Sequence, residues 1–282
     1  MKALVLAAGK STRIAARASG LPKPLIAVSG RPILLRTLDW LASHEISPIW
    51  INLHYRTESI REAVAGAQHA DLDIRFSHEC ELLGTAGAVK NLEAEWTESF
   101  LVVYGDNLLG FDVADMVASH RASGAALTMA LFDWENDLHS QIAGGRVECD
   151  GAMRIANFTE GAVDDGVVSP WVNAGVYVVE PDVLGDIPPA VFFDFGKDLF
   201  PALLQKGAVL QGYPIDSYCL AADTPAALVT SAVLLHMSIN VVHAWPQSAP
   251  LPDAEIPRYV DAALLPLLRT MMIADNDAWA FF

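Results

Sequence analysis

Ala3-Leu4-Val5-Leu6-Ala7-Ala8-Gly9-Lys10-Ser11-Thr12-Arg13-Ile14 joins a short apolar β-type run to a glycine-containing basic turn, and Leu21-Pro22-Lys23-Pro24-Leu25 follows closely. A glycine turn after a parallel strand lets backbone N–H groups approach phosphate oxygens, and the Ser11 and Thr12 hydroxyls add donors. Arg13 and Lys23 supply fixed positive charge for a polyphosphate, with Lys10 beside them. Two better-known loops fail the spacing test. In a P-loop ending at Gly9-Lys10-Ser11 the first glycine falls on Leu4, and in a dinucleotide loop Ser11 and Ile14 occupy the later glycine positions.

Outward from this loop, strand-like runs at 3–8, 49–52, 74–77, 100–103, 126–131 and 175–179 alternate with helical patterns. Ile33, Leu34, Leu38 and Leu41 share one face of a helix over 33–44, Thr57 opens a capped helix over 57–67, and a third helix covers 111–123 before Gly124. This alternation predicts an α/β fold: a Rossmann-like, mainly parallel sheet flanked by helices. From about 138 the pattern changes to short runs broken by Gly144-Gly145, Asp150-Gly151 and Asp164-Asp165-Gly166, the mark of a small antiparallel insertion with hairpin turns. The expected organisation is one unit over 1–234, with the insertion at about 138–200, and a helical C-terminal appendage over 235–282. The appendage, rich in proline and ending Ala278-Trp279-Ala280-Phe281-Phe282, is a candidate homo-oligomer contact.

Composition narrows the partners. The 282 residues carry 18 Lys and Arg against 34 Asp and Glu, a formal charge of −16, and are 52% hydrophobic. Such length supports a substantial core, and the apolar content excludes disorder. The acidic balance argues against nucleic acid and against an anionic membrane surface, since both are gripped by clustered Lys and Arg. Cys80, Cys149 and Cys219 are odd in number and far apart, which suits free thiols in a cytoplasmic setting. The stretch 224–252 lacks charge, yet His236, Ser238, Asn240 and His243 interrupt it; it reads as a buried or interface helix, not a membrane span.

Further motifs follow in order. Gly84-Thr85-Ala86-Gly87-Ala88 offers small residues at a helix start, and Tyr104-Gly105-Asp106-Asn107 closes an apolar strand, where open α/β sheets place their ligands. Asn157-Phe158-Thr159-Glu160-Gly161, Val172-Asn173-Ala174-Gly175-Val176-Tyr177 and Phe193-Asp194-Phe195-Gly196-Lys197-Asp198 come later. Together with the first loop, these resemble the signature of the sugar-phosphate nucleotidyltransferases over residues 1–230. The resemblance is closest to members that transfer guanylyl groups to mannose- or heptose-1-phosphate. It implies transfer of a nucleoside monophosphate from an NTP to a sugar-1-phosphate, with pyrophosphate released, Mg²⁺ as cofactor and GTP as the expected donor; uridylyl, cytidylyl and adenylyl transfer stay open.

Carried over residue by residue, the resemblance makes Arg13, Lys23 and Asp106 the catalytic groups. Leu6, Ala8, Gly9, Lys10, Ser11, Thr12, Gly84, Thr85 and Ala86 hold the nucleotide. Asn107, Glu160, Asn173, Gly175 and Lys197 form the sugar-phosphate side, and Asp106 binds the metal. Three positions depart from the pattern: Ser11 replaces a glycine, Gly161 stands where a phosphate-contacting lysine belongs, and Ala221 falls on the second metal-binding aspartate. Alanine cannot bind a cation. Asp223 reaches the site from two positions along, Asp216 substitutes, or Asp106 and phosphates suffice. The same departures leave open a family member that senses nucleotide without turnover, or transfer to a non-sugar phosphate.

Overall fold

Apolar runs that do not alternate with polar residues must be covered on both faces, and the computed structural model bears this out. It describes residues 1–9, 21–67, 72–137, 139–140, 144–161, 169–222, 227–228, 230–232 and 234–235. In chain order the elements are β1 (Ala3–Leu6), β2 (Ala27–Val28), β3 (Arg31–Pro32), α1 (Ile33–Ser43), β4 (Ile49–Leu53), α2 (Thr57–Gly66) and β5 (Ile74–His78). Then come α3 (Gly84–Lys90), β6 (Phe100–Tyr104), β7 (Asn107–Leu109), α4 (Val113–Ser123) and β8 (Leu127–Asp133). The chain continues through β9 (Arg146–Cys149), β10 (Ile155–Thr159), β11 (Trp171–Val179), α5 (Phe200–Gln205), β12 (Leu210–Pro214) and β13 (Cys219–Ala221).

The main sheet runs β10-β9-β11-β6-β1-β4-β5, with β8 on the free edge of β11 and β12 beyond it. Strands β1, β4, β5 and β6 are mutually parallel, and β12 is parallel to β8. Along β1, Ala3 and Val5 face a core built with α1, α2 and α4, whereas Leu4 faces a second core built with α3 and α5. Each face of the sheet is thus sealed by helices, and the strand ends are left as the place for a ligand.

The structure adjusts several expectations. Residues 175–179 belong to a longer strand, β11, which runs antiparallel to both β6 and β8. Val172 pairs on one edge with Phe132 and on the other with Arg146, so the expected insertion is hydrogen-bonded into the main sheet. The first strand ends at Leu6 rather than Ala8, because the Ala7 N–H turns to the Asn52 side chain at 2.6 Å. Helix α2 has no side-chain cap; Arg56, at φ 52°, precedes it. Helix α4 is capped instead, by the Asp112 carboxylate on Ala114 N–H. The short strands β7 and β13 carry no period-2 signal, and pairing with each other creates them. Where described, the uncharged stretch is helical and packs Leu228, Ala232 and Leu235 against Ile33, Leu108 and Leu220. No helix among the described residues is long and apolar enough to cross a membrane.

Candidate functional site

The parallel strands β1 and β6 lie side by side, with Leu6 opposite Tyr104, and both chains then turn at the same end of the sheet. The Gly105 N–H donates to Leu6 O at 2.9 Å, which brings the Asp106 turn against the end of β1. Lys23, at the start of a 3-10 turn Lys23–Leu25, places its ammonium 2.6 Å from Asp106 Oδ2. The Lys23 side chain is 13% exposed and the Asp106 side chain 31%, so the pair is part-buried with the aspartate on the solvent side. Two residues 83 positions apart in sequence, each singled out by a separate motif, therefore meet.

Asn107, next in the chain, is buried and donates from its amide to Ala174 O at 3.0 Å. That carbonyl belongs to a bulge in β11, where the register against β8 shifts between Asn173 and Tyr177. The Asn173 side chain stabilises the bulge, accepting from Gly175 N–H at 2.9 Å and donating to the Tyr177 hydroxyl at 2.7 Å. Gly175 has φ +76°, and a Cβ there would lie 3.0 Å from both Asn107 Nδ2 and Tyr104 Cγ. Only glycine combines that backbone with that clearance. The Tyr104 hydroxyl shares hydrogen bonds with Tyr177 and Thr85, and burial pushes its pKa up to about 12. A chain Thr85–Tyr104–Tyr177–Asn173 thus ties the motif at 84–88 to the bulge.

Helix α3 starts against the segment 193–195. Gly84, at φ +74°, passes so close that a Cβ would lie 2.6 Å from Phe193 O. Phe193 O accepts from Ala86 and Gly87 N–H at 2.9 Å, and the Asp194 carboxylate accepts from Thr85 N–H and its hydroxyl at 3.0 Å. The small residues of this motif therefore admit the 193–195 backbone. Just beyond, a π-helical turn over Phe195–Leu199 presents Lys197 to solvent, within electrostatic reach of Glu160. A Cβ on Gly196 would collide with the Glu160 carboxylate, so the two motifs are in contact. Burial raises the Glu160 pKa, Lys197 pulls it down, and Asp194 adds to the rise.

A buried network that sequence reading missed sets the entrance of the loop. Asn52, which holds Ala7 N–H, donates to Glu79 Oε1 at 2.7 Å, and Glu79 Oε2 accepts from Leu83 N–H at 3.0 Å. Asn52 and Glu79 are each 3% exposed. An asparagine inside an apolar strand and a glutamate just after one were the available signal, since buried polar groups require partners.

Leu6, Ala8 and Gly9 lead to the loop, but Lys10, Ser11, Thr12 and Arg13 lie outside the described residues, as does Asp223. Ala221 is fully buried and pairs directly with Asn107, beside the Asp106 turn. Its backbone is bracketed by the buried Ser140 and Ser231 hydroxyls. Asp216 is exposed and acts electrostatically on Asp137 and Tyr213, and the Tyr213 hydroxyl donates to Asp115. No group of three His, Cys, Asp or Glu is poised for a metal among the described residues.

A parallel sheet sealed by helices on both faces, with Lys23 and Asp106 paired where β1 and β6 end, defines an open α/β protein of the kind that binds its ligands at the strand ends. Residues 2–225 match the Nucleotidyl transferase family, and the chain belongs to it. A UTP–glucose-1-phosphate uridylyltransferase of Synechocystis sp. is 31% identical over 219 residues, covering 73% of this chain and 56% of the relative. A mannose-1-phosphate guanyltransferase of Schizosaccharomyces pombe is 29% identical over 244 residues, covering 85% of this chain and 66% of the relative. The chain thus spans less than two thirds of the length of these relatives. In fold it superposes on HddC from Yersinia pseudotuberculosis, solved with GMP-PN, with a TM-score of 0.71 at 22% identity, covering 83% of this chain and 99% of that one.

Proposed function

We propose that this protein transfers a nucleoside monophosphate from an NTP to a sugar-1-phosphate, forming an NDP-sugar and pyrophosphate. The observation that carries the reading is the Lys23–Asp106 pair at the end of β1 and β6. GTP is the preferred donor on this reading, supported by relatives named mannose-1-phosphate guanylyltransferases. The sugar-phosphate oxygen attacks the α-phosphorus, a new P–O bond forms, and the bond to pyrophosphate breaks. No protein nucleophile is required, because positioning and charge neutralisation supply the catalysis.

Lys23 turns from Asp106 to the α-phosphate, and Arg13 steadies the β- and γ-phosphates. Asn173 and Gly175 line the sugar, Glu160 takes its hydroxyls, and Lys197 meets its phosphate. One carboxylate together with substrate phosphates is a sufficient donor set for Mg²⁺, so Asp106 fits the metal even though Ala221 faces Asn107. When bound, the ion supplies positive charge to the phosphoryl oxygens. Residues 1–234 form the transferase unit, 138–200 supply its sugar-binding part, and 235–282 join copies of the chain. A cytoplasmic setting suits the three free cysteines.

The test is pyrophosphate release from each NTP with Mg²⁺ and a panel of sugar-1-phosphates. GTP with mannose-1-phosphate or a related sugar phosphate is expected to react fastest. A second reading, a nucleotide sensor without turnover, is favoured by Ala221 and Gly161; tight GTP binding with no pyrophosphate from any pair would establish it and overturn the transferase.

A further inference from the structure

Behind the Asp106 turn lies a cavity of about 190 Å³ between α1, β7 and Tyr218. Its walls are the aromatic rings of Trp40 and Tyr218 and the apolar side chains of Leu108 and Leu235. Arg36 enters from α1. Its Nε and Nη2 donate to the Val28 and Ser29 carbonyls at 2.8–3.2 Å. A guanidinium has five N–H donors, so those of Nη1 remain unspent. Asp39 also lines the cavity and acts on Arg36 electrostatically, but its carboxylate is engaged by Arg31 at 2.5 and 2.7 Å, and among the described residues no carboxylate is in ion-pair contact with Arg36. The Tyr218 hydroxyl likewise has no hydrogen-bond acceptor among the described residues. Trp40 is different, because its indole N–H is already spent on Phe111 O at 3.0 Å, which leaves only the ring to offer.

A half-buried guanidinium with spare donors, a tyrosine hydroxyl beside it and flat apolar walls favour one class of occupant. We infer that this cavity is a second ligand site, taking a small organic anion that joins a flat apolar ring to one phosphate or carboxylate. The anionic group lies between Arg36 and Tyr218, and the ring packs on Trp40 and Leu108. Asn107 also lines the cavity, directly after Asp106 and bonded to the β11 bulge, so an occupant touches the strand that carries the catalytic turn. The site is separate from the phosphate mouth at Lys23, and the inference does not depend on the transferase reading.

The experiment is calorimetric titration of the full chain, without nucleotide or sugar phosphate, using phenyl phosphate, benzoate and inorganic phosphate. Phenyl phosphate or benzoate is expected to bind with a millimolar or tighter Kd, and inorganic phosphate more weakly. Arg36→Met and Tyr218→Phe should each weaken that binding by about tenfold, which is ~1.4 kcal/mol, while Lys23→Met leaves it unchanged. Tyr218→Phe keeps the ring and guards against a folding defect in the arginine variant. No binding at millimolar concentration, binding lost in Lys23→Met but intact in Arg36→Met and Tyr218→Phe, or phosphate binding as tightly as the ring-bearing anions would each overturn the inference.

Discussion

Asp106 carries the largest expected effect of any single side chain. Asp106→Asn keeps the size of the residue and removes its charge, so both the pairing with Lys23 and the seat for a cation are lost. Turnover should fall by roughly 10²–10³, the range for removing one electrostatic stabiliser. The thermal midpoint should fall only modestly, because the Asp106 side of the part-buried pair is 31% exposed and solvent screens it. Near-normal turnover would refute the assignment of Asp106. Glu160 gives a pH signature instead. Burial raises its folded pKa, so folding favours the protonated form; the stabilising contribution is complete below the ordinary value of 4.5 and disappears as pH rises through the raised folded value. Glu160→Gln should therefore be more stable than the native chain at neutral pH and lose that advantage below pH 4.5. Urea midpoints across the acid range check the sign. Gly175→Ala should cost stability through both φ +76° and the 3.0 Å approaches to Asn107 and Tyr104, and should raise KM for the sugar phosphate more than for the nucleotide.

The element scale shows why the site depends on strand ends. β1, β4 and α3 are joined by the Ala7–Asn52–Glu79–Leu83 relay, three of whose contacts are 2.6–3.0 Å long. Asn52→Ala strands Ala7 N–H and one Glu79 oxygen in a buried place, which typically costs about 1–3 kcal/mol for each unsatisfied group. We expect a lower urea midpoint together with a raised KM for the NTP, because the loop loses its anchor; unchanged nucleotide KM would confine the relay to stability. These elements were unequally legible. The runs at β1, β4, β6 and β8 are apolar without alternation and could be read directly, as could α1 from the spacing of Ile33, Leu34, Leu38 and Leu41. Strand β7 has only three residues, and β13 likewise. Neither has enough length for periodicity, and each exists because the other pairs with it.

For the molecule as a whole, net charge has a kinetic consequence. A chain of formal charge −16 repels an anionic nucleotide at long range, although Lys23 and its neighbours attract it locally. Raising the salt from about 10 mM to about 150 mM shortens the Debye length from roughly 30 to 8 Å. It therefore screens distant carboxylates more than contacts inside the mouth. The expected result is a modest rise in kcat/KM for the NTP over that range, opposite to the behaviour of a nucleic-acid binder. A fall would mean that local cations dominate the approach.

Sequence alone determined the α/β class, the two-sided burial of the central strands and the identity of Lys23, Asp106, Asn173, Gly175 and Glu160 as site candidates. The class follows from the alternation of apolar runs with helical patterns and Lys23 from its basic segment, whereas Asp106, Asn173, Gly175 and Glu160 are implied by the resemblance of their motifs to the family signature. The pairing of β13 with β7, which sets Ala221 opposite Asn107, came only from the structure. Only the tertiary structure decided that β11 runs antiparallel and carries the bulge, that Thr85 is tied to Asn173 through two tyrosines, and that Asn52 and Glu79 hold the Ala7 end of β1. Each of those depends on register and on contacts between residues far apart in the chain, where one residue of slip reverses the face a side chain occupies.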